Sequence, residues 1–473
     1  MSKAAFDLKK EKDEQVKRNL DASVVEGSFT AASSNMTSNY ITPYALYLGA
    51  TNAQIGLMNA MQSLAGTLAQ LPAARLPEFI SRKNVWYASH IISKLIWIPI
   101  VLLVLLPFDA VLALIALLSV YAAINSLKHP AWVSMISDIV PPNKRGEYFG
   151  KRNLISGFAG LASLLASGYI LATFGFGLLF GVSVIIGLMG VYWFSKIQEP
   201  VFRKQFHYRH DMGINLNRWK VSLKSNKSLV IFTTYMILAT LGIAMASPFY
   251  AVHMLKVMDI GYFWYAIVIT MGALAAIVSQ PYWGKISDRF GDRPILIVTG
   301  VMICFIPLLW IFAANIPMLI FIMMYDGFLF GGWSLVVFNF LISACPQAKR
   351  TSYVANHAFF VGFASVAGAL LGGVMTEYFG VGVIIFGLTG LSVVFLVSFI
   401  VRLFSLSFLH NIQSNYVKPE VTPDEKFAWK VIIVEPSKFA SHYIGRFYHF
   451  GWLRDKINDL ITTIKQKHIM WRS

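Results

Sequence analysis

The chain has 473 residues, of which 56% are hydrophobic and only 13% charged. Soluble proteins usually carry about 25% charged residues, so the composition excludes a disordered chain and an ordinary soluble protein of this size. The net charge of +17 would suggest nucleic acid if it formed one basic face, but it is confined to alternate loops along the chain.

The first twenty residues alternate in sign (Lys9, Lys10, Glu11, Lys12, Asp13, Glu14, Lys17, Arg18) and lack the apolar core of a secretory signal. Apolar stretches follow at about 22–48, 54–76, 84–107, 110–134, 153–173 and 177–195, then at about 228–255, 263–283, 294–314, 317–342, 354–376 and 381–404. A spanning helix needs ~20 mostly apolar residues. The pattern therefore predicts an all-α membrane protein with twelve transmembrane helices. It divides into a cytoplasmic N-terminal tail (1–20), a six-helix half (21–195), a cytoplasmic linker (196–227), a second six-helix half (228–404) and a cytoplasmic C-terminal tail (405–473).

One set of turns holds Arg75, Arg82, Lys83, Lys144, Arg145, Lys151, Arg152, Lys285, Arg289, Arg293, Lys349 and Arg350. The intervening turns, around Gly49–Asn52, Phe108–Asp109, Gly175–Gly177, Asn315–Ile316 and Gly380, hold no Lys or Arg, and only Lys256 breaks the alternation. Basic residues gather on the cytoplasmic side, which puts both termini there and accounts for the basic balance without nucleic acid. Cys304 and Cys345 fall in or beside apolar stretches, so neither a disulfide framework nor a thiolate metal site is expected. In the tail, a segment near 437–466 reads either as an amphipathic helix lying on the membrane surface or as a solvated appendage.

The two halves repeat. Pro141, Lys144, Arg145 and Tyr148 match Pro346, Lys349, Arg350 and Tyr353 at an offset of 205 residues. At the same offset Gly157, Phe158, Ala159, Gly168 and Gly175 match Gly362, Phe363, Ala364, Gly373 and Gly380. Between the eighth and ninth apolar stretches lies Gly284-Lys285-Ile286-Ser287-Asp288-Arg289-Phe290-Gly291-Asp292-Arg293. This segment resembles the G-x-x-x-D-R-x-G-x-R loop of the major facilitator superfamily, whose halves form a parallel repeat about an axis along the membrane normal. The first-half counterpart, Ala74 to Lys83, is degenerate, with Glu78 where Asp would stand. The resemblance covers about residues 20–404 and implies a cytoplasmic latch. Asp288 would meet the start of span five, and Glu78 the start of span eleven. Arg145 and Arg350 would be cationic partners, and Glu199 would complete the first cluster. Gly284, Arg289, Gly291 and Arg293 are the motif's other members.

Ionisable residues inside a span are costly and point to function. Span one carries Glu26, Thr30, Ser34 and Thr37 on one helical stripe and Asn35 and Asn39 on a second, which suggests a helix facing a water-filled cavity. Asn125, Tyr235, Trp333 and Asn339 sit on spans that line the cavity in the superfamily. Asp326 lies nine residues beyond Pro317, about 14 Å at 1.5 Å per residue, near the middle of a ~30 Å core. It is the first candidate for proton coupling or for binding a cationic part of the substrate. Lys94 reaches a similar depth, and if adjacent it would make Asp326 a structural ion pair. Glu26 is the weaker coupling candidate, lying about a turn from the cytoplasmic surface where water can solvate it.

No nucleophile motif, P-loop, zinc pattern or dinucleotide fingerprint is present, so neither an enzyme, a cofactor, a metal nor an ATP-driven pump is expected. The expected function is secondary active transport of a small solute by alternating access, proton- or ion-coupled, by a monomer in the cell membrane. The alternatives are a transporter-like sensor signalling through its tail and a lipid-handling protein on the same scaffold.

Overall fold

The computed structural model describes residues 3–73, 76, 80–105, 110–141, 145–199, 227–345, 350–380 and 389–409. Every regular element among the described residues is helical. Helices satisfy their backbone polar groups internally, as lipid demands. In the first half these are α1 (Lys3–Ser38), α2 (Ile41–Tyr47), α3 (Asn52–Ala73), α4 (Arg82–Leu95), α5 (Trp97–Leu102), α6 (Ala110–Ile139) and α7 (Arg145–Ser195). α7 is two helices in succession, broken at Gly175, where φ is 78° and ψ −178°, a conformation open to glycine because it lacks a Cβ. The second half holds α8 (Lys227–Val252), α9 (Gly261–Phe290), α10 (Asp292–Cys304), α11 (Ile306–Ile311), α12 (Ile316–Ala344), α13 (Arg350–Phe379) and α14 (Gly390–Leu409).

Among the described residues nine helices are long and apolar enough to cross a membrane, with the two parts of α7 counted as one. Large apolar side chains such as Leu105, Phe174, Phe321 and Phe404 are widely exposed on them. In water this surface would drive aggregation, whereas lipid solvates it. One boundary differs from the sequence pattern. α1 starts at Lys3, so the charged N-terminal segment is a continuation of the first helix. Asn19 anchors that extension: its side chain donates to the Gln198 carbonyl at 3.2 Å and accepts from the Gln198 N–H at 3.1 Å. The last described helix begins at Gly390, and residues 381–388 of the expected span lie outside the described residues.

Within the first half α1 packs along α7, and α3 and α4 pack on α6; within the second, α9 packs on α12, and α8 on α13 and α14. The halves meet along two seams, α3 against α13 and α7 against α9. Small residues make both seams close. A Cβ on Gly56 would lie 2.5 Å from the Gly373 Cα, and one on Gly168 would lie 2.3 Å from the Ala266 Cβ. Such approach favours helix association in lipid through dispersion contacts.

Candidate functional site

The seams are closed at the end of the bundle that bears the Lys- and Arg-poor turns. There the Ala53 N–H donates to the Glu377 carboxylate at 3.2 Å, and the Tyr265 hydroxyl donates to the Asn39 carbonyl at 2.8 Å. The rings of Phe176 and Tyr262 meet edge to face at 5.5 Å. Toward the basic end a cavity of about 490 Å³ opens between the halves. Its polar lining is Asn35 of α1, Asn153 and Ser156 of α7 and Gln280 of α9.

Beside this cavity the first half buries a cluster of charges. Glu26 is 1% exposed; its two oxygens accept from Arg152 Nη2 at 3.2 Å and from the Thr30 hydroxyl at 2.9 Å. Arg152 also donates to the Ser23 carbonyl at 3.2 Å and lies 4.1 Å over the Trp132 ring. Gly27 makes room for it, since a Cβ there would come within 2.6 Å of the guanidinium. Lys128 of α6 is within electrostatic reach of Glu26. Lys94 is 1% exposed and donates to the Ser33 hydroxyl at 2.7 Å, which donates on to the Ser183 carbonyl at 2.6 Å. Its side chain fits against α7 because residue 187 is glycine. His90, also buried, stacks on Trp86 at 4.5 Å.

This arrangement corrects two expectations. Glu26 does not sit in water near a helix end: the extension of α1 and the Arg152 side chain cover it. Lys94 is not the partner of Asp326, because Ser33 holds its ammonium and Arg402 supplies the cation in the field of Asp326. The remaining span-one residues divide. The Asn35 side chain accepts from Asn39 at 3.1 Å and reaches the cavity, and Ser34 bonds through its carbonyl to Ser38 at 2.7 Å. Asn125 keeps a buried side-chain oxygen with no hydrogen-bond partner.

In the second half Asp326 is half-buried on α12. Arg402 of α14, 2% exposed, donates to the Ile303 carbonyl at 3.2 Å and to the Tyr250 hydroxyl at 3.5 Å, and acts on Asp326 from beyond ion-pair contact. Tyr235 and Trp333 are bonded to each other, the indole N–H donating to the hydroxyl at 2.9 Å, and both are buried. They are packing residues between α8 and α12, not the expected cavity wall. Asn339 is also displaced from the expected wall: it donates at 3.3 Å to Asp292, which also accepts from Ser287, so it belongs to the basic end.

At that end Gly291 takes a φ of 85° and breaks the chain between α9 and α10. The first half has its own counterpart. Arg82 pairs with Asp138 at 2.6 Å and with Glu199 at 3.1 Å, and donates to Ser134 at 3.0 Å. Ser134 and Asn339 are repeat equivalents with the same job, tying the loop to the long helix beside it. Lys83 Nζ closes the end of α7 by donating to the Ser195 and Ile197 carbonyls at 2.8 and 2.7 Å, offsetting the negative pole there. Arg145, expected as a cationic partner in the latch, donates to the Ser137 carbonyl at 2.9 Å. Glu199 goes to Arg82 because its two oxygens also meet the backbone N–H groups of Arg82 and Lys83, at the start of α4. Gly284, Asp288, Arg289 and Arg293 lie in or beside this end. Glu78 and the Arg350 side chain lie outside the described residues, as does the tail.

Arg152, Arg402 and Arg82 were not singled out from the sequence as site residues. Arg152 sits among loop cations, and only its repeat equivalence with His357, which bonds Thr233 at 3.1 Å inside the second half, signals an interior position.

The family model of the Major Facilitator Superfamily matches residues 27–264 and 232–452. The multi-drug resistance efflux pump PmrA of Streptococcus pneumoniae is 27% identical over 119 residues, 25% of this chain and 30% of the pump. An uncharacterized transporter of Schizosaccharomyces pombe is 28% identical over 114 residues, 24% of this chain and 20% of that protein. The chain thus spans less than a third of the length of these relatives. The nucleoside transporter NupG superposes with a TM-score of 0.65 at 13% identity, covering 85% of this chain and all of NupG. A bacterial homolog of the human lysosomal transporter Spinster, inward-facing and unoccupied, gives 0.62 at 15% identity over 87% of this chain and 99% of its own. With a family match across most of its length, this multi-pass membrane protein belongs to the major facilitator superfamily of transporters.

Proposed function

We propose that the protein is a secondary active transporter that carries a small organic solute by alternating access, coupled to a proton or another ion. This reading counts twelve spans: α1 with α2, α3, α4 with α5, α6, the two parts of α7, α8, α9, α10 with α11, α12, α13 and α14. Six fall in each half, and the basic end faces the cytoplasm, with both termini there, in the cell membrane of a monomeric protein. The observation that carries it is one-sided closure. The seams are tight at the basic-poor end, where Gly168 abuts Ala266 and Ala53 reaches Glu377, while the cavity beside Asn35, Ser156 and Gln280 lies toward the other. A rocking of the halves would reverse this.

Asp326 is the coupling candidate. It is a carboxylate deep among protein atoms that keeps some accessible surface, with Arg402 and Tyr250 as its polar neighbours and no direct ion pair. Flux of nucleosides and cationic dyes into proteoliposomes under an imposed pH gradient tests the reading. Accumulation driven by the gradient and abolished in Asp326→Asn is expected. Accumulation equal to wild type in that variant removes the coupling role, and absence of any flux removes the transport reading. A cysteine at Asn52 or Ile316 should label only from outside the cell; labelling only from the cytoplasm inverts the topology.

A further inference from the structure

We infer that Lys128 is the docking cation for an anionic group, a carboxylate or a phosphate, on the transported solute; the inference rests on the transport reading above. Four charges gather in the first half: Lys128 stands in the field of Glu26 and acts on Lys94, and Arg152 pairs with Glu26. Three are cations and one is a carboxylate. Each oxygen of Glu26 already has a partner, Arg152 on one and Thr30 on the other. Lys94 is sealed behind α1, bonded to Ser33. Lys128 is the remainder. Its ammonium has three donors, makes no hydrogen bond to any described residue, and keeps accessible surface although it lies deep among protein atoms.

A partly desolvated cation with no bonded counter-charge is costly, and a cation that keeps accessible surface in that state has the character of a binding group awaiting its partner. Its surroundings on α6 agree. Tyr121, Asn125 and Lys128 recur at spacings of four and three, on one helical face. Asn125 has an unpartnered buried oxygen, while its amide nitrogen makes no hydrogen bond to any described residue and can donate to the same guest. The opposite half does not supply the missing anion, since Asp326 stands in the field of Arg402, and among the described residues the carboxylate acting on Lys128 is Glu26. At the repeat positions of Tyr121, Asn125 and Lys128 the second half has Asp326, Phe330 and Trp333. The positive excess therefore belongs to one wall, which would hold an anion and repel a cation.

The test is thermal unfolding of the purified full-length protein with phenyl phosphate, benzoate and the neutral benzyl alcohol at constant ionic strength. Phenyl phosphate or benzoate should stabilise the wild type while benzyl alcohol does not. In Lys128→Met the half-saturating concentration should rise roughly tenfold or more, the loss expected for a charge-assisted bond, and Lys128→Arg should retain the response. Without ligand, Lys128→Met should melt at or above the wild-type temperature, because an uncompensated charge has gone. No response to either anion, an equal response in Lys128→Met, or a ligand-free Lys128→Met that melts well below wild type each overturns the inference. Flux of a cationic dye with no anion response would leave transport standing and remove the anion site. Stabilisation by phenyl phosphate without flux of any solute would keep the site and remove transport.

Discussion

The interior of the first half is ionic where that of the second is aromatic, although the two are built on one repeated pattern. At the offset of 205 residues Thr30 and Lys128 occupy the places of Tyr235 and Trp333. In the second half those two side chains satisfy each other with one neutral hydrogen bond. In the first, Thr30 bonds to Glu26 in a network that also enlists Arg152 and Trp132, and Lys128 stands in the field of that carboxylate without a bond to it. The basic-end tether shows the opposite result. Ser134 and Asn339 keep equivalent roles in both halves despite different partners, Arg82 in one and Asp292 in the other. Equivalent scaffold positions are thus retained where they hold loops and differentiated where they face the interior. Function in such folds belongs to the site, not to the scaffold.

The comparison is broken most severely at Arg152. In Arg152→Ala the buried Glu26 carboxylate loses its cation, and removing one member of a buried pair costs about 3–5 kcal/mol. The double variant Glu26→Gln/Arg152→Gln should recover much of that, and thermal unfolding of the three proteins checks both statements. A smaller effect is expected at the seam between the halves. Gly56→Val places atoms where Gly373 already stands, and overpacking costs about 1–3 kcal/mol. Because the clash exists only with that end closed, the expected outcome is opening of the basic-poor end by roughly five- to 150-fold, read as faster labelling of a cysteine at Asn52, which is buried while the seam is closed.

Trp333→Phe removes a neutral buried bond worth about 0.5–1.5 kcal/mol. A modest loss of thermal stability with flux retained is expected; loss of flux would show that Tyr235 and Trp333 are more than packing. The smallest effect is at the proposed latch. Asp288 beside the start of α7, near Lys151–Asn153, would contribute only about 0.3–1 kcal/mol as a helix-end contact, so Asp288→Asn should move the balance of conformations by a few-fold. Spectroscopic distances identical to wild type would remove the latch.

The helices, the repeat and the motif loop were legible in the sequence because each depends on local pattern: apolar length, register and charge at turns. Side-chain partnerships were not, because they depend on how each helix is rotated about its axis. Asn339 and Trp333 are six residues apart on one helix, yet one serves the basic end and the other the packed interior. Arg152 carried no local sign of being interior, lying beside Lys151 at a helix start; the turn of α7 against α1 brings it to Glu26. Burial of Glu26 was misjudged for a related reason. Depth was counted from the start of the apolar stretch, while the helix itself begins at Lys3.

The central claim is that the two halves alternate between closure at opposite ends, and paired distances test it directly. Spin labels at Thr51 and Tyr378 report the α3/α13 seam at the basic-poor end, and labels at Lys151 and Lys285 report the α7/α9 seam at the basic end; all four positions are exposed. In lipid, under conditions that support flux, the account predicts two populations in which one distance lengthens as the other shortens. Both distances remaining fixed, or lengthening together, would contradict it.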